Sequence, residues 1–231
     1  MKKRVFYTEA AYAAGLLLLA FGTALTAYGD FGISMVVAPA YILYLKLSQT
    51  MPFFSFGVAE YVLQGLILLL MLVVIRRIKL TCFLSFATAI LYGVLLDLAM
   101  DVTALIPGHS LWLRILLYAA GVLLGCAGIA LLFQTYFPPA AYEMFVKQLA
   151  RKLKKPIAPV KTAYDCCSML LAVAMSLLLF GRLEGIGIAS VLCAFANGSL
   201  IRMATLLLEK FWAFQDGLPL RRYFEESEES L

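Results

Sequence analysis

Residues 56–77 read FGVAEYVLQGLILLLMLVVIRR, and residues 161–182 read KTAYDCCSMLLAVAMSLLLFGR. Each is a long apolar run with one acid near its start, Glu60 or Asp165, and an arginine at its end, Arg77 or Arg182. The two runs are 105 residues apart, and the same shift carries Asp97 onto Arg202, Ser85 onto Ser190, Ala89 onto Ala194 and Gly93 onto Gly198. A shift of 106 carries Gly15 onto Gly121, Gly22 onto Gly128, Ala24 onto Ala130, Leu25 onto Leu131 and Phe31 onto Phe137. Charges and glycines match as well as Leu and Ala, which marks an internal repeat with a one-residue slip between blocks. A charge inside a membrane helix is costly, so such residues are functional candidates. Two related halves carrying them point to a transporter architecture.

Composition sets the class. The chain of 231 residues is 63% hydrophobic and 14% charged, with a mean hydropathy of +0.92. A soluble domain of this length could not hide that much apolar surface, so the chain is a polytopic helical membrane protein, all-α. Its net charge of +5 is no nucleic-acid signal, because the basic residues sit in loops and at a terminus. The five cysteines, Cys82, Cys126, Cys166, Cys167 and Cys193, fall in or beside apolar runs and match no metal spacing. They read as free buried thiols. His109 is the sole histidine, which excludes a histidine metal centre, and no cofactor is implied. The Met1-Lys2-Lys3-Arg4 start resembles a signal peptide, but no small-residue cleavage site follows, so the first span reads as uncleaved.

Apolar segments cover residues 10–28, 33–47, 56–75, 80–103, 111–132, 140–153, 162–180 and 186–208. A span needs about 20 residues, and six segments reach or approach that length. Segments 33–47 and 140–153 are shorter, occupy equivalent places in the two halves and follow breakers, Gly29-Asp30-Phe31-Gly32 and Pro138-Pro139. They read as re-entrant or interfacial helices. Basic clusters at residues 2–4, at Arg76, Arg77 and Lys79, at Lys147–Lys155 and at Lys210, Arg221 and Arg222 all fall inside if these two do not cross, with Arg182 the exception. The expected organisation is a first repeat of three crossings plus one short helix (residues 1–108). A second, inverted repeat follows (109–212), then an acidic, disordered cytoplasmic tail (213–231). Both termini lie in the cytoplasm of a bacterial cell bounded by this membrane. The basic stretch Lys147–Lys155 rests on anionic lipid headgroups.

Depth follows from a rise of about 1.5 Å per residue. Glu60 and Asp97 lie near the outer side and Asp165 and Arg202 near the inner side, so the expected pairs are Glu60 with Asp97 and Asp165 with Arg202. Two close carboxylates in low dielectric hold a proton or a cationic group. An Asp–Arg pair acts as a latch. Gln64 and Asn197 fall nearer the midplane and can hydrogen-bond a solute or bridge helices. Asp30 and Asp101 read as solvated boundary residues. Tyr164-Asp165 invites comparison with intramembrane aspartyl proteases, but their Gly-x-Gly-Asp motif is missing, since Gly185-Ile186-Gly187 is followed by Ile188. The chain is therefore not read as an enzyme.

Half one carries Gly22-Thr23-Ala24-Leu25, Phe31-Gly32-Ile33-Ser34, Arg77, Ala89, Gly93 and Asp97; half two carries Gly128-Ile129-Ala130-Leu131, Arg182-Leu183-Glu184-Gly185-Ile186-Gly187, Ala194 and Gly198. This pattern resembles the YczE/YyaS/YitT-type bacterial integral membrane proteins up to about residue 208. Where that family has a Gly-x-Ser-Pro-Trp-like stretch, this chain has Gly32-Ile33-Ser34-Met35. The resemblance implies the membrane fold and a transport activity. The residues support a small secondary transporter or permease for a small polar, cationic or zwitterionic solute, with protons as the coupling ion. The alternatives are a substrate-binding membrane subunit of a multi-component importer, or a membrane scaffold or regulator. No nucleotide-binding motif is present. The expected partners are membrane lipids, the solute and, as a further option, copies of the chain itself.

Overall fold

The computed structural model describes residues 4–75, 80–108, 110–138, 140–218 and 221. Eight α-helices are described: α1 (Thr8–Gly29), α2 (Ala38–Leu47), α3 (Phe56–Ile75), α4 (Leu80–Ala104), α5 (Leu111–Leu132), α6 (Ala141–Leu153), α7 (Ile157–Phe180) and α8 (Ile188–Phe211). Two four-residue strands, β1 (Arg4–Tyr7) and β2 (Trp212–Gln215), pair in parallel. Five helices (α1, α3, α4, α5 and α7) are long and apolar enough to cross a membrane, and α8 equals α7 at 24 residues. The chain is an all-α polytopic membrane protein.

Helix faces show which side meets lipid. On α3, Leu66, Leu69, Leu70 and Val73 are exposed, an i, i+3, i+4, i+7 stripe, while Glu60, Gln64, Leu68 and Met71 on the other face are buried. In a membrane the exposed leucine stripe is solvated by acyl chains, and the polar residues are the ones that need protein around them.

Contacts between helices fix their directions. Gly15 meets Gly128 and Gly22 meets Gly121, so α1 and α5 are antiparallel. Tyr12 bonds Thr88 and Tyr28 bonds Ile106 beyond the end of α4, so α1 and α4 run the same way. Gly57 meets Asp97 and Gly65 meets Phe86, so α3 opposes α4. Tyr118 bonds Cys193 and Gln134 bonds Glu209, so α5 and α8 are parallel. The register Arg4↔Trp212 brings the start of α1 and the end of α8 to one face of the bundle, the terminal face. Six helices thus traverse the bundle, in opposite senses in the two halves.

The two short helices do not traverse. Helix α6 begins at Gln64, near mid-height of α3, and ends near Val74 at the terminal face, where Lys152 bonds the Val74 carbonyl. Just ahead of α2, the Met35 carbonyl accepts from Ser168 in the middle of α7, and Lys46 near the helix end bonds Leu179 at the opposite face. Both are re-entrant half-helices, with their N-termini at mid-depth and their C-termini at opposite faces.

The repeat is visible in the packing. The contacts Gly15–Gly128 and Gly22–Gly121 exchange under the 106-residue shift. A Cβ at Gly22 or at Gly121 would come within 2.7 Å of the other residue's carbonyl oxygen, so only glycine allows the two backbones to approach this closely. Helix pairs α1–α4 and α5–α8 correspond, as do α2–α7 and α6–α3, and α2–α3 and α6–α7.

One correspondence fails. Helices α3 and α4 pack tightly, Gly57 against Gly93, but among the described residues α7 and α8 form no comparable contact. The reason lies in the sequence. Thr162 stands at the place equivalent to Gly57, and Gly198, equivalent to Gly93, meets nothing within 4 Å.

Two sequence expectations change. Residues 212–215 form a strand, so the expected tail does not begin at 213; residues 222–231, with its acidic run, lie outside the described residues. Cys166 and Cys167 are exposed on the outer face of α7, while Cys126 is buried as expected. Arg76, Arg77 and Lys79 fall outside the described residues.

Candidate functional site: a buried carboxylate between two re-entrant helices

Glu60 is 1% exposed and Gln64, one turn further along α3, is equally buried. The Gln64 amide donates to Glu60 Oε1 at 3.2 Å, and its oxygen accepts from the backbone N–H of Ala141, the first residue of α6, at 3.0 Å. Gln64 therefore caps a re-entrant helix with one end and holds a carboxylate with the other. The second carboxylate oxygen, Glu60 Oε2, has no hydrogen-bond partner among the described residues. The phenols of Tyr92, Tyr142 and Tyr164 lie within electrostatic reach of it.

A cavity of about 40 Å³ opens beside Gln64, lined by Tyr12, Thr88, Tyr92, Phe137, Tyr142 and Glu143 and by apolar side chains of α1 and α5. It has room for a few water molecules. Its polar lining is tied together: Tyr12 and Thr88 hydroxyls are 2.7 Å apart, and the Tyr92 hydroxyl meets Thr23 at 3.0 Å. Glu143, on α6, lies in the electrostatic field of Lys161, Lys147 and Asp165.

The expected pairs do not form. Asp97 lies at the depth anticipated, but its carboxylate accepts from the Gly57 N–H at 2.7 Å and from Ser55 Oγ at 2.6 Å. It caps the N-terminus of α3, where a negative charge meets the positive end of the helix dipole. Glu60 points elsewhere, toward Gln64 and the tyrosines. Asp165 sits 3.9 Å from Lys161, one turn before it on the same helix, rather than against Arg202. Arg202 is exposed on α8, away from α7. It occupies the place equivalent to Asp97, and a cation cannot cap the N-terminus of α7 as Asp97 caps α3. Asn197 receives a long contact of 3.8 Å from the Cys126 thiol, away from Glu60. Of the six residues singled out in the sequence, Glu60 and Gln64 share a site; Asp97, Asp165, Asn197 and Arg202 each stand apart.

Residues not singled out complete the picture. At the terminal face the Glu9 carboxylate accepts from the Tyr136 hydroxyl at 2.7 Å and from the N–H groups of Gly217 and Leu218. The next residue, Phe137, stacks on Tyr12 at 4.4 Å between centroids. At the opposite face Arg114 bonds the Gly29 carbonyl and pairs with Asp30 at 3.1 Å. The next residue, Phe31, packs edge-on against Tyr118, which meets Cys193 at 3.3 Å. Under the 106-residue shift Tyr12 becomes Tyr118, Phe31 becomes Phe137 and Asp30 becomes Tyr136; under the 105-residue shift Thr88 becomes Cys193. The ring contacts Tyr12–Phe137 and Phe31–Tyr118 are images of each other at opposite ends of the α1–α5 pair, while Glu9 and Arg114 correspond to Ile115 and Thr8 and are particular to their own ends. The shift that matched the glycines also matches these tyrosines, and this is the signal by which they could have been found.

No curated protein and no solved structure matches the chain. Residues 6–205 match DUF6198, a family of unknown function, and the chain belongs to that family.

Proposed function

We propose that this protein is a small secondary transporter, or permease, for a small polar solute, cationic or zwitterionic, with proton coupling as its energy source. One observation carries the reading: two polar latches, Glu9–Tyr136 and Asp30–Arg114, each beside one of the repeat-related ring contacts Tyr12–Phe137 and Phe31–Tyr118, close opposite ends of one helix pair, with a polar cavity and a buried carboxylate between them. Inverted repeats with half-helices ending at mid-depth are the arrangement in which one gate opens as the other closes. The resemblance to the YczE/YyaS/YitT-type proteins, for which transport is suspected, agrees with it. Lys147, Arg151, Lys152, Lys154 and Lys155 on or beside α6 gather at the terminal face, against Lys46, Arg114 and Arg182 at the other. That bias favours termini in the cytoplasm of a bacterial cell and α6 lying against anionic headgroups.

The test needs no known substrate. Leu16 lines the cavity and is 2% exposed. In a chain whose native cysteines are replaced, Leu16→Cys should react slowly with an impermeant thiol reagent from either face of oriented vesicles. Tyr136→Phe should speed the reaction from the terminal face only, and Arg114→Ala from the opposite face only. Acceleration from the same face by both, or by neither, removes the reading and leaves the scaffold or importer-subunit alternatives.

A further inference from the structure

The repeat supplies an internal comparison at the acid. In the second half Asp165 follows Lys161 by one turn, and the lysine ammonium stands 3.9 Å from its carboxylate. In the first half Glu60 occupies the place of Asp165, and the place of Lys161 is taken by Phe56. Phe56 is 1% exposed and packs on the rings of Tyr41 and Tyr44. The chain thus provides an ammonium group to one acid and withholds it from the other. No Lys or Arg forms an ion pair with Glu60 among the described residues, and Oε2 lacks even a neutral donor.

We propose that Glu60 is the binding site of a small ammonium-type monovalent cation, a ligand that supplies the positive charge Lys161 supplies in the other repeat. The proposal names the solute class for the transporter reading above and rests on it. Charge selects the class. One uncompensated carboxylate balances one positive charge; the acid that lines the neighbouring cavity, Glu143, lies in the field of Lys161 and Lys147, and among the described residues no Lys or Arg lines that cavity to receive an anion. Size selects it further: the cavity opens at Gln64, the hydrogen-bond partner of Glu60, and about 40 Å³ there admits a group of a few heavy atoms and not an amino acid with a long side chain. The lining suits a cation as well: the rings of Tyr12, Tyr92, Tyr142 and Phe137 offer π-faces, and the phenol oxygens are acceptors. Gln64 is the positioning residue. Its amide group, anchored on the N-terminus of α6, fixes Oε1 and leaves Oε2 to the ligand.

The experiment is equilibrium binding to the full chain in detergent. Methylammonium chloride should raise the unfolding temperature saturably, beyond the effect of sodium chloride at equal ionic strength. Glu60→Gln should weaken that binding at least tenfold, and Asp165→Asn should leave it unchanged. A second measurement uses the wild-type chain and so is independent of how Glu60→Gln folds: methylammonium should slow labelling of Glu60 by dicyclohexylcarbodiimide, mapped by peptide mass spectrometry, without slowing labelling of Asp165. Glu60 labelling that is indifferent to saturating methylammonium overturns the proposal. So does a wild-type protein whose stability responds to pH through Glu60 but not to methylammonium, because the occupant is then a proton alone. Binding without the face-specific accessibility described above supports the Glu60 site and removes transport; face-specific accessibility without binding overturns the Glu60 site and keeps transport.

Discussion

Replacing Gly22 by alanine should separate the two halves of the protein. A Cβ at this position would lie 2.5 Å from the Gly125 nitrogen, 2.7 Å from the Gly121 oxygen and 2.8 Å from the Gly125 Cα. All three are backbone atoms, so no side chain can swing away. Ordinary contact begins at 3.4 Å, so α1 and α5 must part by about 1 Å along the line of contact. Overpacking of this kind costs about 1–3 kcal/mol. For a chain of this length that is a fall of roughly 2–10 °C in melting temperature. The repeat image, Gly121→Ala, should cost a similar amount, because its Cβ meets the Gly22 oxygen at 2.7 Å. The double variant should cost less than the sum, since helices already parted by the first methyl have room for the second. Gly125→Ala is the control: it sits on the same helix, but its Cβ would meet nothing within 4 Å, and it should be near neutral. Thermal unfolding of the purified variants in one detergent measures all four. If Gly22→Ala melts with Gly125→Ala, the close approach of the two repeats is not the feature that holds them together.

A further prediction concerns a charge. Asp97→Asn keeps an acceptor for Gly57 and Ser55 but removes the charge at the start of α3, so it should cost about 0.5–2 kcal/mol, with Asp97→Leu costing more; equal unfolding temperatures for wild type and Asp97→Leu would refute the capping role.

The sequence carried depth well and rotation poorly. Helix lengths, the two short segments and the positions of Glu60, Asp97, Asp165 and Arg202 along their helices could be read because each is a one-dimensional quantity, fixed by the rise per residue. Which side chains meet depends on the azimuth of each helix, which needs the neighbours. Asp97 and Glu60 are 37 positions apart in sequence and near the same face, yet the tight Gly57–Gly93 crossing turns Asp97 onto the helix terminus and Glu60 inward. The β1–β2 ribbon was not legible because RVFY and WAFQ are short and polar-flanked; they become strands only once the fold brings the termini together. Tyr12, Tyr118, Glu9 and Arg114 were hidden for another reason. Aromatic and charged residues near helix ends are ordinary in membrane proteins; correspondence across the repeat sets Tyr12 and Tyr118 apart, but Glu9 and Arg114 correspond to Ile115 and Thr8, so no signal in the sequence marks them.

The departures from the repeat carry more meaning than its agreements. In the transporter proposed above, two identical halves related by a two-fold axis would give an inward-open and an outward-open state of equal energy, with nothing to favour one or to distinguish the ligand on either side. Here three substitutions break the degeneracy within one region of each half: Gly57 for Thr162, Asp97 for Arg202, and Phe56 for Lys161. The first two close α3 on α4 while leaving α8 apart from α7. The third leaves Glu60 without the ammonium that Asp165 has. The closed hairpin is thus the one that carries the uncompensated carboxylate. Tight packing there keeps Glu60 buried, while the looser hairpin leaves Asp165 partly exposed with its own lysine. On the proposed reading, a cation that neutralises Glu60 acts on one half only, and so biases a balance between latches that symmetry alone would leave even.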